Sequence, residues 1–290
     1  MESDYIKAGK IAADAIEFGK SLIKKDVLLL DVANAVEDRI FKNGGKLAFP
    51  INMSINNIAA HSAALPNDKT KFNENDIVKL DIGVHINGCI ADTAITVDLS
   101  GKNKELVLAS REALDAALRL VKPGVEVREI GRVIHDKITS YGFSPIKNLS
   151  GHLLKEYKVH GELTIPNYDN GDNTSLKEGM IVAIEPFATT GEGIVVEGKP
   201  SSIFRLEHKK PTRDANARKA IEFIENEFKT LPFSKRNLNI PMRYFVLNLL
   251  EKECIIYQYP QLVERSKGLV SQAEHTVIVK EKPIVTTMVN

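Results

Sequence analysis

The segment from residue 77 to 99 constrains the fold most strongly. It contains two β-prone runs joined by Asn87-Gly88. An Asn-Gly pair tolerates positive φ at both positions and is the preferred turn of a tight antiparallel hairpin. This turn sets the register, so that Gly83 lies opposite Asp92 and Asp81 lies diagonally across from it. We therefore expect the carboxylates of Asp81 and Asp92 on one face of a sheet, close enough to share an ion.

Paired helices are predicted ahead of each β-rich region. Apolar residues recur every three to four positions over residues 4–24, 31–42, 104–121 and 127–140. Asp31 is the expected N-cap of the second helix, and Gly44-Gly45 its end. Further strands, rich in Val, Ile and Thr, are predicted over residues 179–188, 193–197, 202–207 and 271–279. Helices and strands thus appear in two similar sets, which predicts an α+β fold with helices on one face of a sheet.

A charged block over residues 209–268 interrupts the second set of strands. Apolar residues at helical spacing near 221–228 and 244–250 predict helices within it. We interpret residues 209–268 as a helical insertion subdomain. The catalytic domain would then comprise residues 1–208 and 269–290.

The composition excludes several classes of partner. Lys and Arg total 39 against 38 Asp and Glu, so no strongly basic surface for nucleic acid or membrane is expected. No apolar run approaches the roughly 20 residues that span a bilayer. The two cysteines, Cys89 and Cys254, are far apart without a CxxC motif, and the N-terminus is polar and amphipathic rather than signal-like. The cytoplasm is the predicted compartment, and both cysteines are predicted to be small buried residues.

Two glutamates stand in segments that otherwise read as buried sheet. Glu185 ends the run MIVAIE, and Glu274 begins EHTVIV. An unpaired buried charge costs several kcal/mol, and the adjoining residues are apolar and offer no obvious cation. Together with Asp81 and Asp92 these residues bring four negative charges, which two divalent cations would balance. The alternative to metal binding is that each glutamate forms an ion pair with Lys or Arg and that each aspartate is a solvated strand residue.

His152 is the remaining candidate ligand. It lies eight residues before His160, so the two are not helical neighbours, and glycines flank the pair. A ligand on a loop is the functional interpretation, and a hydrogen-bonded structural histidine is the alternative.

Five segments, in order, resemble the motifs of type II methionine aminopeptidases: LAFPINMSINNIAAH, LDIGVHINGCIADTAIT, SGHLLKEYKVHG, IVAIEPFATTGEG and SQAEHTVIV. The resemblance spans nearly the whole chain. It implies the pita-bread fold, in which two similar halves of paired helices and antiparallel strands surround a pair of metal ions. It also implies removal of the initiator methionine from new polypeptides, whose N-termini would be the substrate.

The resemblance assigns roles to the five predicted ligands. Asp81 would bind one ion, Asp92 and Glu274 would bridge both, and His152 and Glu185 would complete the shell of the other. Mixed oxygen and nitrogen ligands suit Mn, Co, Fe or Zn and discriminate weakly among them. We therefore expect two divalent ions per chain, of unspecified element.

The resemblance also implies catalytic and substrate-binding residues. His160 would contact the scissile amide, His61 would lie beside the substrate backbone, and Glu185 would accept a proton from the attacking water. The methionine pocket would be formed by Phe49, Val159 and Phe187. The other histidines (His85, His135, His208 and His275) are assigned no catalytic role. The expected oligomeric state of the protein is a monomer, and a contact with the ribosome is a further expectation.

Two alternatives remain open at this level. X-Pro aminopeptidases and dipeptidases share the fold and the metal ligands but carry a further N-terminal domain. A non-catalytic binding protein of the same fold is the second alternative. Glu185 and Glu274 lie 89 positions apart, and by resemblance this long link indicates type II. The short segment before the first helix indicates a compact, archaeal-like form.

Overall fold

The first half of the chain is a small antiparallel sheet covered by two helices. The computed structural model describes residues 1–288. The elements of this half are α1 (Glu2–Leu22), α2 (Leu29–Lys42), β1 (Lys46–Leu47), β2 (Asn52–Ile55), β3 (Ile58–Ala60), β4 (Ile77–Ile86) and β5 (Cys89–Asp98). β4 pairs with β5 along one edge and with β1 and β2 along the other. Buried apolar residues of α1 and α2 pack with those of β4 into one hydrophobic cluster, to which Ile16, Val36 and Leu80 belong.

The predicted hairpin is confirmed in extent and register. Asn87 and Gly88 have φ of 51° and 89°, the left-handed values that a two-residue hairpin loop requires. Gly83 pairs with Asp92, and Asp81 pairs with Ala94 two positions further from the turn. Asp81 and Asp92 are therefore diagonal neighbours, because side chains two positions apart lie on one face of a strand.

The second half repeats the arrangement of paired helices and antiparallel strands. Its helices are α3 (Lys104–Leu118), α4 (Val127–Ser140), α5 (Ala215–Glu227) and α6 (Arg243–Lys252). Its strands are β6 (Ser144–Pro145), β7 (Ser150–Leu154), β8 (Thr164–Pro166), β9 (Ile181–Ile184), β10 (Phe187–Thr189), β11 (Val195–Leu206), β12 (Phe233–Ser234), β13 (Ile256–Glu264), β14 (Val270–Gln272), β15 (His275–Ile278) and β16 (Ile284–Val285). Five of them form an antiparallel sheet in the order β16-β15-β9-β7-β8, against which α3 and α4 pack.

Two local predictions were wrong. α2 begins at Leu29, with Leu28 at the N-cap and no capping side chain, and Asp31 lies within the first turn. There its charge still interacts favourably with the helix dipole. The strands predicted at 193–197 and 202–207 are one strand, β11, whose pairing with β13 shifts at Pro200. Proline lacks a backbone N–H, so a shift in the ladder at this position is expected.

Two predicted strands are each interrupted at a glutamate. Residues 179–188 divide into β9 and β10 around Glu185 and Pro186, and residues 271–279 divide into β14 and β15 around Ala273 and Glu274. Pro186 cannot donate to the ladder, so the interruption beside it follows from its chemistry. Both carboxylates thus stand where the chain leaves one sheet and enters another.

Residues 209–268 contain the two predicted helices, α5 and α6, but are not wholly helical, because residues 256–264 form β13. Phe204, Ile224, Leu250 and other apolar residues between 204 and 256 form a hydrophobic cluster of their own, which we call the insertion cluster. A buried ion pair between Arg236 and Glu37 of α2 ties it to the first half, with Nη2 to Oε2 at 2.7 Å. The proposed domain boundary itself stays a prediction. None of the helices within residues 1–288 is both long and apolar enough to cross a bilayer.

Candidate metal centre and active-site cleft

The hairpin places two carboxylates on the floor of a cleft. Asp81 and Asp92 both line it; Asp92 is buried, and Asp81 is partly buried with its Oδ1 atom shielded from solvent. Gly83, directly opposite Asp92, is covered by the ring of Phe49, which would overlap a Cβ at this position. Phe49 can therefore pack closely against the strand and line the cleft beside the carboxylates. The glycine in the hairpin sequence is thus required by close packing.

Glu185 and Glu274 meet at one end of the ladder between β9 and β15. His275 pairs with Ile184, so the two glutamates occupy adjoining positions just beyond the last pair. Gln272 lies between their carboxylates: its Nε2 is 3.3 Å from Glu185 Oε2 and 3.4 Å from Glu274 Oε2. The side-chain amide of Gln272 donates to both carboxylates and so fixes their orientation.

Threonine hydroxyls join the two halves at the cleft floor. Thr276 Oγ1 accepts from the Asp92 backbone N–H at 2.7 Å and donates to the Asp92 carbonyl at 2.8 Å. Thr93 Oγ1 donates to the Glu274 carbonyl at 2.9 Å, and the Glu274 N–H donates to the Ala94 carbonyl at 2.9 Å. These contacts bring Glu274, from the second half, alongside Asp92 of the first.

His152 lies on a strand and not on the predicted loop. It pairs with Ala183 of β9, and Gly151 beside it lets the Ala183 carbonyl approach closely. Its Nε2 lies 3.5 Å from Glu185 Oε1 and 3.8 Å from Asp92 Oδ2. The strand therefore directs the imidazole toward the carboxylates.

The electrostatics of the floor favour bound cations. Burial raises the pKa of Asp81 to about 7. Burial, followed by repulsion from neighbouring carboxylates, raises the pKa of Asp92 and Glu274 well above the usual range, and burial also raises that of Glu185. Burial lowers the pKa of His152 well below its ordinary value, so the imidazole is neutral and available as a ligand.

The donor atoms fit a metal site. Asp81 Oδ1, Asp92 Oδ1 and His152 Nδ1 are buried and find no hydrogen-bond partner within residues 1–288. Buried polar atoms are nearly always paired, so unpaired oxygens on two adjacent aspartates indicate that a cation belongs there. Ligand atoms of Asp92, His152 and Glu274 lie within 4.8 Å of one another and form a candidate metal-binding group. Carboxylate and imidazole ligands together suit divalent first-row metals.

All ten predicted site residues line one cleft of about 250 Å³. Besides the five candidate ligands they are His61, His160, Phe49, Val159 and Phe187. Such a volume suits one amino-acid side chain and is smaller than the roughly 300 to 1,000 Å³ typical of drug-sized pockets. Phe187 is only 1% exposed and Phe49 only 8%, so the apolar side of the cleft is well shielded from water.

Two histidines stand at the cleft with neutral rings. The His160 ring centroid is 4.5 Å from that of His152 in an edge-to-face arrangement, and burial lowers the pKa of His160 to about 4. His61 has φ of 61°, and its Nδ1 donates to the Pro260 carbonyl at 3.2 Å. That bond fixes the tautomer and leaves Nε2 as the nitrogen that can accept a proton. Burial lowers the pKa of His61 as well.

A tight turn over residues 155–158 returns the chain to His160, and it is held from two sides. The backbone N–H of Tyr157 donates to the Gly88 carbonyl of the hairpin loop at 3.0 Å. Thr230 Oγ1, from the 209–268 segment, donates to the Tyr157 carbonyl, and Lys229 Nζ lies 4.2 Å from the Tyr157 ring centroid. The hairpin loop and the insertion thus position the histidine together.

Sequence reasoning missed several residues of the site. Gln272 orients two carboxylates, Asn52 pairs with Asp81 and lines the cleft, and Tyr259 and Leu262 of β13 form its outer side. Gln272 stands two positions before Glu274, and a polar residue so close to a candidate ligand in an apolar stretch was the available signal. The contribution of β13 follows only from its pairing with β11 and β3.

The residues given no catalytic role lie outside the cleft. His85 accepts from the Gly88 N–H in the hairpin loop, and His275 contacts Thr287. Cys89 is buried as predicted. The prediction for Cys254 was wrong, because it is exposed in the turn after α6, where its φ is 53°.

The fold and the buried ligand cluster are those of a metallopeptidase. The chain belongs to metallopeptidase family M24, whose family model matches residues 3–281. A methionine aminopeptidase of Archaeoglobus fulgidus is 48% identical over 281 residues, which cover 97% of this chain and 96% of the relative.

Two solved structures share the predicted pita-bread fold. The methionine aminopeptidase of Thermotoga maritima superposes with a TM-score of 0.72 at 24% identity, covering 100% of this chain and 98% of the other. The prolidase of Pyrococcus furiosus superposes with a TM-score of 0.63 at 20% identity, covering 99% of this chain and 64% of the prolidase. The α+β prediction is confirmed.

Proposed function

We propose that this protein is a metallo-aminopeptidase that removes an N-terminal methionine by hydrolysis of the first peptide bond. The observation that carries the proposal is the adjacency of two surfaces in one small cleft: a floor of buried carboxylates and an apolar side formed by Phe49, Val159 and Phe187. The apolar side would receive the methionine side chain. The ions held by the floor would bind a free α-amino group, so chains with a blocked N-terminus are not expected to be substrates.

Two divalent ions would be held by Asp81, Asp92, His152, Glu185 and Glu274. Asp92 and Glu274, brought together by the threonine contacts, are best placed to be shared between the ions. When bound, such ions lower the pKa of a water molecule and polarise the scissile carbonyl. The number of ions and their identity are part of the proposal.

The remaining steps fall to side chains of the cleft. The Glu185 carboxylate would accept a proton from the attacking water. His160 would donate a hydrogen bond to the scissile amide. His61 would exchange a proton with the substrate backbone through Nε2. Gln272 holds two carboxylates in place, which keeps the floor ordered before substrate arrives.

An X-Pro peptidase is the second candidate. The shared fold favours it, but this chain covers 64% of the prolidase and 98% of the methionine aminopeptidase that it resembles in structure. The high identity to archaeal methionine aminopeptidases also favours the first function. Type II membership, a monomer, a cytoplasmic location and contact with the ribosome remain predictions from the sequence.

The discriminating experiment compares peptides. Metal-loaded protein is incubated with Met-Ala-Ser, N-acetyl-Met-Ala-Ser and Ala-Pro, and released amino acids are measured. Met should be released from the first peptide alone, and both chelator and Asp81→Ala should abolish the reaction. Asp115→Ala, on the surface of α3, is the matched control and should retain full activity. Cleavage of Ala-Pro alone would establish the X-Pro alternative, and cleavage of none by folded, metal-loaded protein would favour a binding protein.

A further inference from the structure

A second cavity adjoins the catalytic cleft on the side of His160. Its volume is about 540 Å³. Val159, His160, Pro232 and Tyr259 line both spaces, so the two cavities adjoin at these four residues.

Arg205, a charged residue that lines the second cavity, is held by several contacts. Its Nε donates to Glu207 Oε2 at 2.7 Å, and its guanidinium carbon lies 5.1 Å from the Tyr257 ring centroid and 5.6 Å from that of Tyr259. Nη1 also lies 3.5 Å from the Tyr259 hydroxyl. A guanidinium carries five N–H donors in a planar fork, so a fork fixed by these contacts still has donors for a ligand.

The proposed function determines the direction in which the bound polypeptide chain extends out of the cleft. The α-amino group would lie at the carboxylates and the methionine side chain against Phe49 and Phe187, while His160 would contact the scissile amide. The chain beyond that amide must then pass His160, which is one of the residues that line both cavities. A cavity that continues the cleft at this point has the position of a downstream peptide site.

We propose that the second cavity binds the backbone of the residues that follow the scissile bond, and that Arg205 donates to a carbonyl oxygen of this segment. The inference rests on the proposed function and extends it from a dipeptide site to a polypeptide site. Recognition through the backbone is independent of side chains, so proteins with different N-terminal sequences can all use it. Thr230 and Pro232 also line this cavity, which would give the 209–268 segment a role in substrate binding.

The test is a length series of C-terminally amidated peptides: Met-Ala, Met-Ala-Ser and Met-Ala-Ser-Gly. Amidation removes the terminal carboxylate, which would otherwise pair with Arg205 and mask the effect of length. kcat and KM are measured separately for the metal-loaded wild-type protein, Arg205→Met and Arg205→Lys. The matched control is Arg243→Met, because Arg243 also lies over a tyrosine ring, 5.5 Å from the Tyr244 centroid, but lines neither cavity.

For the wild-type protein, kcat/KM should rise with peptide length. Arg205→Met should lower kcat/KM for the longest peptide by about tenfold, the effect of losing one charge-assisted hydrogen bond, mainly through KM. It should leave the amidated dipeptide within about twofold, since a dipeptide would not reach the guanidinium. Arg205→Lys, which keeps the charge but not the fork, should fall between. Arg243→Met should match the wild-type protein throughout.

Two results would overturn the inference while leaving the proposed function intact. One is a wild-type kcat/KM that does not change with length. The other is a length dependence that Arg205→Met and Arg205→Lys both retain in full. If Arg205→Met fails to fold by thermal melting, the comparison of Arg205→Lys with Arg243→Met decides. Absence of cleavage of any of these peptides by the wild-type protein would instead refute the proposed function.

Discussion

The floor of the cleft and the insertion cluster differ in polarity and have opposite effects on the stability of the fold. The floor gathers four buried or partly buried carboxylates whose pKa values are raised, and no Lys or Arg within residues 1–288 forms a salt bridge with them. The insertion cluster is an apolar assembly that includes the buried residues Ile224, Leu247 and Leu250. The floor therefore costs stability when no cation is bound, whereas the insertion cluster contributes stability and shapes the cleft from outside.

The largest expected effect on activity comes from the floor. Asp92→Asn keeps the size of the side chain but removes a charge shared between the proposed ions, so methionine release should fall by more than the roughly 10- to 100-fold typical of losing an outer hydrogen-bond partner. The metal-free variant should melt at or above the wild-type temperature, because repulsion among the carboxylates is relieved. Peptide assays and thermal melts of chelated protein measure both, with Asp115→Asn as control. A sharp loss of metal-free stability would contradict this account of the floor.

The largest effect on stability should come from the insertion cluster. Leu250 is fully buried, and Leu250→Ala should lower the free energy of unfolding by about 2 to 5 kcal/mol through lost burial and the cavity left behind. Denaturant unfolding measures this change, and Leu108→Ala on exposed α3 surface is the control. Metal affinity of the folded variant should not change. A parallel loss of metal affinity would show that the two regions are coupled.

Metal addition should stabilise the protein through the floor alone. An ion that binds only the folded state adds about 2.7 kcal/mol when its free concentration is 100 times its dissociation constant. The melting temperature should therefore rise with Mn²⁺ or Co²⁺ and return after chelation. Leu250→Ala should show the same rise from a lower starting temperature, whereas Asp92→Asn should show little. A rise of equal size in Asp92→Asn would place the responsible site elsewhere.

The smallest of these effects should come from the residue that orients the floor. Gln272→Met removes the amide that donates toward Glu185 and Glu274 with little change in volume. Metal affinity should fall by about 10- to 100-fold, as is typical for partners behind the ligands. Saturating metal should restore most of the activity, which a direct catalytic role would not allow. Metal titration followed by peptide assay distinguishes the two.

All five candidate ligands follow from the resemblance, whereas local sequence patterns account for only some of their positions. Turn chemistry at Asn87-Gly88 determined the hairpin register, and with it the relation of Asp81 to Asp92, because a two-residue loop fixes pairing locally. Helical periodicity predicted each of the six helices within residues 1–288, and it placed the ends of the first four within about three residues. Asp31 was misread as a cap, because its residue type fits that role while the tertiary structure began the helix earlier.

Pairing between strands that are distant in the sequence could not be predicted from local sequence patterns. His152 could not be assigned to β7 because its partner, Ala183, is far along the chain, and nothing local distinguishes this strand from a loop. The exposure of Cys254 likewise depends on how the turn after α6 faces the solvent.

The sequence by itself determined the helix pairs, the hairpin and the presence of four carboxylates and a histidine in otherwise apolar or β-rich segments. These features depend on residues that are close together in the sequence, because helical periodicity and turn geometry are properties of short segments. Only the tertiary structure decided that Thr276 and Thr93 would join the halves, that Gln272 would stand between two glutamates, and that Arg205 would border a second cavity. Such contacts join residues up to 184 positions apart, and their geometry depends on the whole packed core.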